Sequence, residues 1–165
     1  DYEYDEDANA YPRLHPDARE FKPRPRTIEP PLDSPELMTL RAALLNNDLN
    51  MVRRIMGGDR VDPSVRFADG LTPLHVAAVA GGHHSALWLL ANNADMNSRD
   101  GDGNTPLITA VLHGHVNVMK VLAGRRADYA VVNEEGMTAL DYLHQQGQHN
   151  LLRLFRYPVS RDRRG

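Results

Sequence analysis

Cysteine is absent from the chain, which excludes disulfides and thiolate metal sites and favours a reducing compartment. Aromatic residues make up only 6% of it, so a core would be built mainly from aliphatic side chains. No apolar run is long enough to span a bilayer, and no signal-peptide pattern is present. Charge of one sign is also lacking. The formal net charge is -3, with a pI near 6.2, whereas a nucleic-acid binder held by bulk charge is normally basic. The chain begins with aspartate, as in a processed chain or a piece of a longer one. These bounds point to a soluble intracellular protein, cytoplasmic or also nuclear, of one domain plus a tail.

What is abundant divides the chain near Ser34. Before it, Pro12, Pro16, Pro23, Pro25, Pro30 and Pro31 interrupt any helix, since each lacks a donor and restrains its predecessor. "DYEYDED" adds like charge. Residues 1–33 therefore read as a disordered, Pro-rich acidic tail. At the other end, 157–165 reads as a basic, solvated tail, contact with RNA or an acidic partner being the minor alternative.

Helical spacing begins at "LDSPELMTLRAALL". Ser34 is placed as an N-cap, Pro35 at the first helical position and Glu36 in the favourable first turn. Leu37, Leu40, Ala43 and Leu44 then fall on one face. A second short helix with Leu49, Val52, Ile55 and Met56 buried would stop at Gly57–Gly58.

Beyond this point the chain repeats itself. "DGLTPLHVAAVAGGHHSALWLLANNADMN" returns as "DGNTPLITAVLHGHVNVMKVLAGRRADYA" and, more weakly, as "EGMTALDYLHQQGQHNLLRLF". Thr72, Thr105 and Thr138 stand 33 residues apart, as do Gly81, Gly114 and Gly147. A fixed step of this length marks stacked helix–turn–helix units, none of which buries its apolar face alone. Thr72–Pro73 and Thr105–Pro106 supply caps and first-turn residues. Leu74, Leu89, Leu90, Leu107, Val118, Val121 and Leu122 supply the core between layers, with Trp88 beside them. Asp69–Gly70 and Asp102–Gly103 suit the projecting turns.

These residues resemble the ankyrin-repeat family over about 36–156. The resemblance implies an all-α solenoid of about four repeats, at 34–66, 67–99, 100–132 and 133–156, the first and last degenerate as capping repeats. It also implies a recognition face built from the projecting turns and the exposed side of each first helix. Carried over residue by residue, that face comprises Leu71, Val76, Val79 and Ala80, then Asn104, Thr109, Leu112 and His113, then Met137, Tyr142, Gln145 and Gln146. Several are apolar, and a contiguous apolar surface marks a partner site unless neighbouring repeats or the folded-back tail cover it.

Chemistry is poorly represented. His83–His84 and the His113/His115 pair lack the carboxylate or cysteine partners of a zinc motif. His75 and His115 occupy positions to which the resemblance assigns turn-stabilising hydrogen bonds. No nucleophile motif, phosphate loop or paired catalytic carboxylates occur, and Glu134–Glu135 sits in a predicted turn. The expectation is no catalytic residue, no metal and no cofactor.

One stretch of the tail stands apart. "LHPDAREFKP" resembles the type-two poly(A)-binding-protein-interacting motif at Leu14, Pro16, Ala18, Glu20, Phe21 and Pro23, departing from it at His15. The resemblance implies capture by the MLLE domain of poly(A)-binding protein, with Leu14 and Phe21 as anchors. Two functions remain open. One is an adaptor whose repeats hold a protein while residues 14–23 engage poly(A)-binding protein, linking cargo to mRNA translation or turnover. The other is a regulatory subunit or inhibitor of a kinase complex or transcription factor, with the tail as linker. Neither requires a membrane or direct nucleic-acid contact.

Overall fold

The computed structural model describes residues 33–58 and 61–155. The tail motif at 14–23 and the basic segment at 157–165 lie outside the described residues. Helices α1 (Pro35–Leu45), α2 (Leu49–Met56), α3 (Pro73–Ala80), α4 (His83–Ala91), α5 (Pro106–Leu112), α6 (Val116–Gly124) and α7 (Ala139–Gln145) are followed by a 3-10 helix, His149–Phe155. No strand occurs among the described residues.

Capping explains where the inner helices begin. The hydroxyls of Thr72, Thr105 and Thr138 accept the N–H groups of His75, Ile108 and Asp141 at 3.4, 3.3 and 3.2 Å. Ser34 does the same for Leu37, and Asp48 for Met51. Each satisfies a donor that the first turn cannot satisfy itself. The inner helices end on a left-handed residue: Asn47 at φ +56°, then Gly81, Gly114 and Gly147 at +74°, +70° and +69°. That conformation reverses the chain into the outer helix.

Helices α1, α3, α5 and α7 lie side by side as an inner layer, and α2, α4, α6 and the 3-10 helix form an outer layer behind them. One continuous aliphatic core runs between the layers, through Leu40, Leu44, Val52, Leu74, Leu89, Leu107, Ile108, Val118, Met119, Leu122 and Leu143. Trp88 and Val121 are half-buried and pack on its edge, as do Leu37 and Ile55. In α2 it is Met51, alongside Ile55, that joins the packing expected of Leu49. The last copy departs from a helix pair. Its second element winds as a seven-residue 3-10 helix, the tighter form that short terminal pieces adopt.

Candidate functional site

Three projecting turns, here called fingers, precede α3, α5 and α7. Their shape comes from one residue each. Asp100 Oδ1 accepts the N–H groups of Asp102 (3.0 Å) and Asn104 (2.8 Å). Asn133 Oδ1, 33 residues on, accepts those of Glu135 and Met137, both at 3.0 Å. Phe67 stands at the same step in the first finger and is buried in the core instead. There Arg41 does the bracing: its guanidinium lies 5.6 Å from the Phe67 ring centroid and pairs with Asp69 at 2.5 Å. Partial burial opposes ionisation of Asp69, but the Arg41 hydrogen bond, the Leu71 N–H and the Arg41 charge outweigh it and hold its carboxyl below the usual range. Asp33 adds a bond to the Ala68 N–H at 2.7 Å.

Arginines tie each finger to the next. Arg66 donates to the carbonyls of Gly70 (3.0 Å) and Arg99 (2.7 Å). Arg99 repeats this 33 residues later, donating to Gly103 (3.4 Å) and to Val132. The Glu134 N–H bonds to the Asp102 carbonyl at 3.0 Å. The next position in the series is Val132, 46% exposed, so the third finger has no arginine of its own.

Histidines stitch the layers rather than gather for chemistry. His75 is fully buried. Its Nε2–H donates to the Asn104 carbonyl at 2.8 Å, because a carbonyl only accepts. Nδ1 therefore accepts from the Thr72 hydroxyl (2.8 Å) and N–H (3.3 Å). Burial pushes the His75 pKa down, against the opposing effect of the Asn104 carbonyl. His115 Nε2–H reaches back to the Val79 carbonyl at 2.9 Å, and His113 Nδ1–H donates to Thr109 at 2.9 Å. The His83 and His84 rings lie 4.0 Å apart, those of His113 and His115 6.3 Å apart. Among the described residues no group of three metal-ligating side chains comes together, and no helix is long and apolar enough to cross a membrane.

The expected recognition residues divide by register. Leu112, His113, Gln145 and Gln146 are exposed, and Leu71, Val79, Ala80, Asn104 and Met137 are half-buried. Val76, Thr109 and Tyr142 are buried, at 1%, 5% and 8%, and this corrects their assignment to the surface. They stand 33 residues apart, at a register where adjacent inner helices and the fingers cover them. Thr109 turns its hydroxyl back to the Thr105 carbonyl at 3.1 Å. Tyr142 donates to Glu135 Oε2 (2.7 Å) and accepts from Asn133 Nδ2 (2.8 Å); the Glu135 bond holds the phenol proton and raises its pKa. Asn104 accepts from Asn133 at 2.9 Å, and Gln146 donates to the Val111 carbonyl at 3.4 Å.

Four exposed apolar residues escape the sequence argument: Met38, Leu45, Leu87 and Val132. Leu45 is 47% exposed, close to the 43% of Leu112. Each lies two residues before a left-handed residue, as do Val79 and Gln145. Leu45, Val79, Leu112 and Gln145 thus hold one register on successive inner helices and form a row across the layer. A 33-residue ruler misses Leu45, because the step from Asn47 to Gly81 is 34. The signal that finds it is the chain reversal. Val132 becomes visible only once the arginine ladder is known.

The model for ankyrin repeats (three copies) matches residues 39–133 and again 85–160. The rat "Ankyrin repeat and SAM domain-containing protein 6" is 31% identical over 134 residues, covering 80% of this chain and 15% of that protein. The mouse "B-cell lymphoma 3 protein homolog" is 36% identical over 97 residues, or 58% of this chain and 21% of its own length. The "E3 ubiquitin-protein ligase XBAT33" of Arabidopsis thaliana is 38% identical over 88 residues, or 50% and 16%. The chain spans less than a quarter of each of these relatives.

Proposed function

The chain belongs to the ankyrin-repeat family, and from that premise we propose that it is a non-enzymatic adaptor with two binding elements. Repeats of this family are in general interaction scaffolds. The observation that carries the reading is the register shared by Leu45, Val79, Leu112 and Gln145 on successive inner helices, at which Leu45 and Leu112 are exposed. Apolar side chains left exposed at such a register suit a protein partner better than solvent. Fold alone does not name that partner.

The second element is the tail. Leu14, Pro16, Ala18, Glu20, Phe21 and Pro23 match a motif for the MLLE domain of poly(A)-binding protein, and the support for it is this sequence match. A protein held on the stack would be brought to polyadenylated mRNA in the cytoplasm, or in the nucleus, where several copies of poly(A)-binding protein on one messenger raise the effective concentration.

Two measurements test the pair of elements separately. Peptide 9–27 should bind an isolated MLLE domain with a Kd of micromolar order or better, and Phe21→Ala should abolish binding. Equal behaviour of the two peptides removes the poly(A)-binding-protein link. Proximity labelling with the full chain should lose its main neighbour on Leu112→Glu while the thermal melt stays within a degree or two. Unchanged labelling removes the recognition row.

A further inference from the structure

We propose, independently of the partner-binding reading above, that Ser34 is a phosphorylation site for a serine/threonine kinase of the proline-directed class.

Proline follows a hydroxyl residue at three places in the chain: Ser34–Pro35, Thr72–Pro73 and Thr105–Pro106. A kinase selects proline after the acceptor by offering that position no hydrogen-bond partner, which penalises every residue with an N–H and spares proline. On sequence the three places are equal, and the fold separates them. Thr72 and Thr105 are 2% and 1% exposed. Thr72 is closed over by the chain leading into the second finger, whose Ser98 hydroxyl lies 3.5 Å away, and its own hydroxyl proton goes to His75 Nδ1. Ser34, Pro35 and Glu36 are all exposed. The Ser34 oxygen takes the Leu37 N–H at 3.3 Å, a bond that uses it as acceptor and leaves its proton to be removed. All three caps have extended backbone, Ser34 at φ −58° and ψ 154°, so exposure rather than conformation decides between them.

In the transfer, Ser34 Oγ attacks the γ-phosphorus of ATP. The new O–P bond forms as the bond from that phosphorus to the β–γ bridging oxygen breaks. ADP leaves with the electron pair, and a carboxylate of the kinase takes the hydroxyl proton. The product carries a charge of about −1.5 to −2 at the start of the 11-residue α1. That end of a helix favours negative charge, and the phosphate oxygens can accept the Leu37 N–H in place of the hydroxyl. Asp33 and Glu36 oppose it. Glu36 is exposed, so salt screens its repulsion, and Asp33 is held on the Ala68 N–H at 2.7 Å. With these effects opposed, the phosphate marks the start of the stack without unfolding it.

The test incubates the full chain with magnesium, ATP and a mitogen-activated or cyclin-dependent kinase, and maps phosphate by mass spectrometry. Phosphate should enter at Ser34 and not at Thr72 or Thr105. Ser34→Ala should abolish its entry. Pro35→Ala keeps a good helix former in place, so it should abolish entry too while the thermal melt stays within about two degrees. The phosphorylated chain should melt within about two degrees of the unmodified one. The full chain recovered from eukaryotic cells expressing it should carry phosphate at Ser34, lost when proline-directed kinases are inhibited. Absence of phosphate from Ser34, with purified kinase or in cells, overturns the site. Equal phosphate on Thr72 or Thr105 of the folded chain overturns exposure as the deciding feature, and entry that survives Pro35→Ala overturns the kinase class. A melt shifted by more than about two degrees on phosphorylation overturns the balance of charges at α1.

Discussion

Replacing His75 by leucine should lower stability and remove a specific part of its pH dependence. The imidazole is fully buried and holds two repeats together, with Nε2 on the Asn104 carbonyl and Nδ1 on the Thr72 hydroxyl and N–H. Leucine fills the space and the Asn104 carbonyl keeps the Asp100 N–H at 3.0 Å, but the Thr72 N–H is left without its partner. An orphaned buried group costs about 1–3 kcal/mol. The leucine side chain returns part of this through apolar burial, so the net loss at about pH 7.5 should be about 1–2 kcal/mol.

The pH term has a definite direction. Burial depresses the native pKa of His75 below the ordinary value of 6.5, so only the unfolded chain takes up this proton as pH first falls through that value. Stability is therefore complete above about pH 6.5 and declines below it, by at most about 1.4 kcal/mol per pH unit, until the native pKa is reached. Protonation at Nδ1 would also set a donor against the Thr72 N–H, which explains why the native state resists it. Urea melts at about pH 7.5, 6.5 and 5.5, followed by Trp88 fluorescence and by circular dichroism, should show the parent losing stability across this window. The His75→Leu variant should lose less, by up to about one proton's worth. Parallel pH profiles for the two proteins would refute the assignment of that proton to His75, and equal stability at pH 7.5 would refute the bonding argument.

Gly81→Ala and Gly114→Ala separate backbone strain from contact. Both glycines have left-handed φ, but a Cβ at Gly81 would lie 2.7 Å from His115 Nδ1, whereas nothing lies within 4 Å at Gly114. The first should cost about 2–4 kcal/mol, including the His115–Val79 bond, and the second about 1 kcal/mol, read from chemical melts. Arg99→Met keeps the side-chain stem but unties the second finger from the third, so amide exchange should quicken over 132–137 while the global melt falls by about 1 kcal/mol or less; unchanged exchange would show the ladder to be idle. Leu107→Ala, at a fully buried site between layers, should cost about 2–5 kcal/mol, and a smaller loss would mean that the stack closes over the gap.

The scaffold was open to sequence reasoning because its strongest constraints are local. A threonine followed by proline caps and opens a helix wherever it stands, and a glycine one or two residues after the last helical residue reverses the chain, so the 33-residue step exposes both. The recognition surface is not local in this sense. Val76, Thr109 and Tyr142 share a register that solvent would reach on an isolated helix pair, and only the neighbouring inner helices and fingers bury it. The first repeat hides Leu45 by one extra residue, and it replaces the finger-shaping Asp100 or Asn133 with Phe67, braced by Arg41 from α1. For Phe67 and the buried register the missing information lies in a neighbouring helix or finger. The same logic makes Val132 informative: a valine in a turn is unremarkable alone, but after Arg66 and Arg99 it marks where the chain stops tying one finger to the next by arginine. Such a break is legible only against a pattern that the fold, not the local sequence, completes.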